Sequence, residues 1–372
     1  MKQLTRIAVK IGSNVLTRKD GTLDITRMSA LVDQIAALHK QNMEIILISS
    51  GAVASGRSEI EPAKKLDSVD QRQLFSAVGQ AKLINRYYEL FREHGIAVGQ
   101  VLTMKECFST RRHYLNQKNC MTVMLENRVI PIVNENDTIS VSELMFTDND
   151  ELSGLIASMM DVQALIILSN INGIYDGPPS EPTSKIIREI DPACDLSTYI
   201  QPTKSNFGRG GMLTKTHIAR KVADEGILVI IANGKREQIL TDLMIQEQLE
   251  EECHSASTPD KLPYTRFIPS ETPTSSIKKW IAHSDGFAKG TLYLNTYATQ
   301  ILATGQAASI LPIGITGIDG DFEKDDIVRI VNPEGKQIGV GKANCNARQA
   351  LDAMGQHGQK PVVHYDYLYI ES

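Results

Sequence analysis

Between Arg6 and Ala232 the chain alternates short apolar runs with amphipathic stretches. The runs are rich in Ile, Val and Leu and show no alternation with polar residues, the pattern of parallel strands buried on both faces. They predict strands near Arg6–Ile11, Glu44–Ser49, Ala97–Leu102, Val129–Asn134, Ala164–Leu168 and Ile227–Ala232. Helical spacing fills the gaps. It is plainest over Gln71–His94, where Leu74, Val78, Leu83, Tyr87 and Leu90 recur on one face and Gly95 stands at the stop. Strand–helix alternation predicts an α/β fold: an open, mostly parallel, doubly wound sheet sandwiched by helices. Ligands of such a sheet belong at the carboxyl ends of its strands.

Beyond Leu249 the pattern changes. Glu250–Glu252 opens a polar stretch, and Ser255–Ser276 is crowded with Ser, Thr and Pro. Glycines such as Gly290, Gly314, Gly320 and Gly339 then punctuate short strand-like runs, Ile327–Val331 among them. The expected organisation is a catalytic domain over 1–250, a linker over 251–275, and a small β-rich domain with a tail over 276–372. There is no internal repeat.

Length changes this picture little, since 372 residues exceed what one core usually supports and two domains are expected anyway. Apolar residues at 42% and charged residues at 22% are ordinary globular usage. A net charge of -5 argues against wholesale attraction to nucleic acid. Cys107, Cys120, Cys194, Cys253 and Cys345 are odd in number, with no Cys-x-x-Cys pair, which reads as a reduced, cytoplasmic protein. The N-terminal residues lack the layout of a signal peptide, and no apolar stretch approaches the ~20 residues of a membrane span.

Candidate chemistry lies where strands end. The first strand closes on Lys10 and Gly12-Ser13, where a phosphate could approach main-chain amides; alone, Lys10 reads equally as a lysine reaching for solvent. Ser49-Ser50-Gly51-Ala52, with Gly56 beyond, has the form of a strand-to-helix turn, either an anion site or an ordinary cap. Asn134–Asp137 and Thr147–Asp150 are polar clusters drawn to the same sheet edge, able to hold an ammonium group or orient a lysine. Gly208–Lys215 offers a glycine loop, a helix start and a mobile positive charge ahead of an amphipathic helix over Thr216–Glu225. Walker A, Gly-x-Gly-x-x-Gly, His-x-x-x-His and Gly-x-Ser-x-Gly patterns are all missing. Two lysines, glycine loops and carboxylates remain, an inventory that suits phosphoryl transfer.

Together and in this order, Val9–Ser13, Ser49–Ala52 with Gly56-Arg57, Val133–Asp137, Asp148–Asp150 and Gly210–Met212 with Thr214-Lys215 resemble the amino-acid kinase family over nearly the whole chain. Within it the loops are most similar to those of members that phosphorylate the γ-carboxylate of L-glutamate with ATP, opening proline biosynthesis. The Asn134–Asp137 and Asp148–Asp150 pair favours glutamate over N-acetylglutamate, carbamate or a nucleoside monophosphate. The resemblance implies that Lys10 and Lys215 contact ATP phosphates, that Gly12 and Gly51 offer backbone amides, and that Asp150 orients the lysines. It implies that Ser50, Asp137 and Asn149 bind glutamate, Asp137 pairing with its ammonium group. Ser169, Asn170 and the segment Arg209, Gly210, Gly211, Met212, Leu213, Thr214 and Lys215 would border ATP, with Mg2+ on the nucleotide phosphates and no direct protein ligand to metal. Relatives usually carry Thr-Asp where this chain has Ser169-Asn170.

Residues Lys278–Ala353, with the Leu311–Ile315 turn, look like a PUA domain, a fold found in RNA-modifying enzymes. Acids such as Asp319, Asp321, Asp325 and Asp326 offset its lysines, so RNA binding is not favoured. The resemblance further implies a homo-oligomer, proline as feedback inhibitor, and a downstream glutamyl phosphate reductase.

Overall fold

The computed structural model describes residues 4–140, 149–179, 181, 183–192, 212–252, 262–271, 276–304 and 307–370. The chain divides into two compact units, one of Met1–Cys107 and Leu115–Pro273, the other of Phe108–Tyr114 and Thr274–Ser372.

In the first unit the elements run β1 (Arg6–Ile11), α1 (Ser13–Leu16), α2 (Ile25–Lys40), β2 (Glu44–Ile48), α3 (Ala52–Arg57), α4 (Ser68–Glu93), β3 (Val98–Thr103) and then α5 (Arg111–Glu126), whose start belongs to the second unit. They continue as β4 (Ile130–Glu135), α6 (Asn149–Met159), β5 (Ala164–Ser169), β6 (Glu189–Ile190), α7 (Met212–Asp224), β7 (Leu228–Asn233), α8 (Ile239–Glu252) and β8 (Tyr264–Phe267). The eight strands form one sheet in the order β3-β4-β2-β1-β5-β7-β8-β6. Every pairing is parallel except β7 with β8. The α/β architecture expected from the apolar runs is therefore present, with strand ends within a residue or two of those read from sequence.

Strand β1 lies between β2 and β5, and the chain winds away from it in both directions, so a crevice opens at its carboxyl end. Ile7, Ala8 and Val9 on β1 and Ala164 to Leu168 on β5 are fully buried, as covering both faces of the sheet demands. Helix α4 packs against α3 at bare backbone: a methyl group on Gly79 would overlap the Ala52 carbonyl, and one on Gly56 would overlap the Phe75 carbonyl. Asp67 caps α4 by accepting from the amides of Val69 and Asp70.

Two elements depart from the sequence reading. Tyr264–Phe267, inside the stretch expected to be a linker, is a strand of the first sheet, paired antiparallel to β7. Helix α7 begins at Met212 rather than Thr216, so Lys215 lies within the helix instead of on the loop before it.

In the second unit, β9 (Gly290–Leu294), β10 (Ile315–Gly320), β11 (Ile327–Val331), β12 (Gln337–Ala343) and β13 (Val363–Ile370) form a five-stranded sheet ordered β10-β9-β11-β12-β13. Leu292, Phe322, Val328, Ile330 and Val363 fill its core. Phe108–Tyr114 belongs here because buried Trp280 donates its indole N–H to the Phe108 carbonyl (2.9 Å) and Arg111 lies over the Tyr114 and Trp280 rings. Among the described residues no helix is long and apolar enough to cross a membrane.

Candidate active site

Lys10 is the penultimate residue of β1, and its side chain passes along the sheet to the crevice, where it is almost wholly buried. A buried ammonium needs an anion, and Asp150 in the first turn of α6 supplies it: Lys10 Nζ stands 2.5 Å from Asp150 Oδ1. The second oxygen of the same carboxylate, Oδ2, accepts from Lys215 Nζ, also at 2.5 Å. Lys215 reaches it because α7 lies tightly on α6. Gly154 makes that approach possible, since a Cβ there would come within 2.8 Å of Ile218. Asp150 is 1% exposed. Burial pushes its carboxyl up, but the charges and hydrogen bonds of Lys10 and Lys215 outweigh that and hold it at about 2. The result is a buried cluster of two ammonium groups on one carboxylate, both cations aimed at the carboxyl edge of the sheet.

The residue before Asp150 ties this cluster to the rest of the edge. Asn149 Nδ2 donates to the Ser49 carbonyl (2.8 Å), to Ser50 Oγ (2.9 Å) and to Asn134 Oδ1 (3.2 Å). Asn134 in turn donates to Gln80 Oε1 (2.8 Å) on α4, and the Ser49 hydroxyl shares a hydrogen bond with buried Tyr87 (2.9 Å). Gly51 begins α3 at φ 101°, a left-handed conformation that a side chain would strain. The Gly12 N–H donates to the Leu168 carbonyl (2.9 Å), and a Cβ there would come within 3.1 Å of that carbonyl oxygen. A Cβ at Gly12 would stand 3.7 Å from Lys10 Nζ.

Asp137 lies just past β4 and is engaged by Arg72, whose Nε donates to Asp137 Oδ1 (2.8 Å) and whose Nη2 donates to Glu135 Oε2 (2.9 Å). These carboxylates border a cavity of about 200 Å³, lined also by Ser76, Gln80, Leu102 and Thr138; Asp137 is the expected site residue that lines it, and Ser50 and Asn149 do not. Another cavity, of about 320 Å³, is lined by Arg18, Lys19, Arg27 and Lys235 and contains none of the expected site residues.

Ser169 ends β5 and is nearly buried, while Asn170 beyond it is exposed. Met212, Leu213 and Thr214 form the first turn of α7 with Lys215. Arg209, Gly210 and Gly211 lie outside the described residues. The sequence reading did not single out Arg72 or Gln80, and it placed Tyr87 on the apolar face of the helix without a polar role. The available signal was the four-residue step of Arg72, Ser76 and Gln80, which sets three polar side chains on one face of an otherwise apolar-faced helix.

An amino acid kinase family model matches residues 5–233, and a PUA domain model matches residues 290–365. The chain is 76% identical over its whole length, and the whole of the relative's, to a protein of Bacteroides thetaiotaomicron named glutamate 5-kinase. It is 47% identical to a glutamate 5-kinase of Chlorobaculum tepidum, covering 98% of this chain and 97% of that one. A glutamate 5-kinase of Maridesulfovibrio salexigens is 37% identical, with 95% and 90% covered.

Proposed function

The chain belongs to the amino acid kinase family, and from that membership and its relatives we propose that it transfers the γ-phosphoryl group of ATP to the γ-carboxylate of L-glutamate. The product is L-glutamyl 5-phosphate, and the step opens proline biosynthesis. Use of ATP goes with the family; the observation that carries the site assignment is the convergence of Lys10, Asp150 and Lys215 from β1, α6 and α7.

A free glutamate side chain has a pKa of about 4.3, so at neutral pH the nucleophile is already ionised and no general base is required. One carboxylate oxygen forms a bond to the γ-phosphorus. The bond from that phosphorus to the β,γ-bridging oxygen breaks, and ADP leaves with the electron pair. Negative charge is spread over the phosphoryl oxygens during transfer, where Lys10 and Lys215 would neutralise it. Asp150 would keep both ammonium groups on that side of the crevice. Ser50, Asn149 and Asp137 would hold glutamate, Asp137 at its ammonium group. Gly51, Ser169, Asn170 and residues 209–215 would border ATP.

Both oxygens of Asp150 are engaged by lysine, which suits Mg2+ riding on the nucleotide phosphates rather than on this carboxylate. Bound there, Mg2+ would add charge neutralisation between the phosphates. The same reading makes the protein a cytoplasmic homo-oligomer, subject to feedback by proline and passing a labile acyl phosphate to a reductase.

The test is hydroxylamine trapping of acyl phosphate with Mg-ATP and L-glutamate, N-acetylglutamate, aspartate, carbamate or UMP. Glutamate-dependent hydroxamate that disappears in Lys215→Ala is the expected result. Turnover of another acceptor alone would keep the fold and replace the substrate.

A further inference from the structure

The Glu135–Arg72–Asp137 cluster is the charge inverse of Lys10–Asp150–Lys215: two carboxylates on one guanidinium instead of two ammonium groups on one carboxylate. The two are joined along the sheet edge by Asn149, Asn134 and the peptide that links Asn134 to Glu135. Glutamate has the matching polarity, with an ammonium group at one end and the reacting carboxylate at the other. Arg72 comes from α4, a long helix fixed to α3 through Gly56 and Gly79, so its guanidinium is held from outside the loop that carries Asp137.

We propose that Arg72 is a positioning and specificity-determining residue, which holds Glu135 and Asp137 side by side as a paired anion that selects an acidic amino acid with a free α-amino group. The proposal rests on the glutamate reading given above. Glu135 and Asp137 lie two positions apart at a strand end, where two carboxylates repel each other unless a cation bridges them. Arg72 bridges both, and its fixed fork sets their directions as well as their charge. The side chains of Glu135 and Asp137 are 3% and 10% exposed, so water does little to screen an approaching ammonium group. An N-acylated substrate has no positive charge to offer there, so it gains none of the attraction that the net negative cluster gives an ammonium group.

The experiment compares the full-length protein with Arg72→Gln and Arg72→Lys in the hydroxamate assay, varying L-glutamate at saturating ATP, with glutarate as a competitor that has both carboxylates and no amino group. Arg72→Gln is expected to raise KM for glutamate by about tenfold to a hundredfold, the range of a lost charge-assisted interaction. The loss should fall on KM more than on kcat, while inhibition by glutarate is not weakened. Arg72→Lys should recover part of the KM, since it restores charge without the fork. Parallel weakening of glutamate and glutarate, a loss confined to kcat, or an unchanged KM would overturn the proposal, and the Lys variant carries the same decision if the Gln variant does not fold. Wild-type protein that forms no hydroxamate from glutamate overturns the functional reading itself, which distinguishes that failure from this one.

Discussion

The two ion clusters at the sheet edge use the same chemistry in opposite proportions and are assembled in different ways. Lys10, Asp150 and Lys215 come from a strand and two helices separated by 140 and 65 positions. Glu135 and Asp137 share one strand end, and only Arg72 comes from afar. The first cluster needs β1, α6 and α7 brought together, whereas the second needs α4 placed beside the end of β4. A buried ion pair is weak evidence for stability, because desolvation offsets much of the attraction. Two such clusters of opposite sign, linked along the sheet edge through Asn149 and Asn134, are better explained by the polarity they give that edge than by stability.

The sharpest way to break the comparison is to delete one cation from the positive cluster. Lys10→Ala should reduce kcat/KM for glutamate by about a thousandfold or more in the hydroxamate assay, because a preorganised charge on the moving phosphoryl group is lost. Next in size is the support beneath the negative cluster. Gly79→Ala forces α4 off the Ala52 carbonyl and should lower stability by about 2–3 kcal/mol, read as a reduced urea midpoint. Because α4 carries Arg72, glutamate KM should rise in the same variant.

Asp150→Asn tests the positive cluster through pH. The folded carboxyl sits at about 2, below its ordinary 3.8, so its ionised form contributes stability at pH values above its unfolded pKa. That contribution, roughly 2 kcal/mol by linkage, is lost as pH falls through the folded value. The urea midpoint of wild type should therefore exceed that of Asp150→Asn at neutral pH, and the gap should close between about pH 4 and pH 2. The smallest effect calibrates the rest. Arg86 pairs with Glu89 at 2.9 Å on α4, with side chains 39% and 44% exposed. Arg86→Ala should change stability by less than about 0.5 kcal/mol and leave glutamate KM alone, because exposed pairs are screened.

Much of the first unit was legible because its strands are continuous apolar runs; β1 was read to its end residues. Strand β8 was not legible: Tyr-Thr-Arg-Phe is four residues long and sits among Ser, Thr and Pro, so its strand character comes from the partners it pairs with, β7 on one side and β6 on the other. The start of α7 was misplaced because Gly208–Gly211 reads as a loop and nothing in Met212–Thr214 marks a helix start. The family resemblance named Lys10, Asp150 and Lys215 and implied that Asp150 orients the lysines; the fold adds which oxygen takes which lysine. Arg72 escaped because a charged residue on a long helix looks like a solvated one until β4 is placed beside it. The membership of Phe108–Tyr114 in the second unit depends on Trp280, far along the chain, and no local pattern announces it.

The glycine contact between α3 and α4 has a consequence for motion. A helix of six residues such as α3 does not persist alone in water, so its order is borrowed from the 26-residue α4 against which its backbone lies. Opening either helix strips the other, and the two should exchange their amide hydrogens as one cooperative unit. The turn at Ser50-Gly51 and the anchor of Arg72 therefore loosen together, so nucleotide-side and acceptor-side disorder would rise and fall in step.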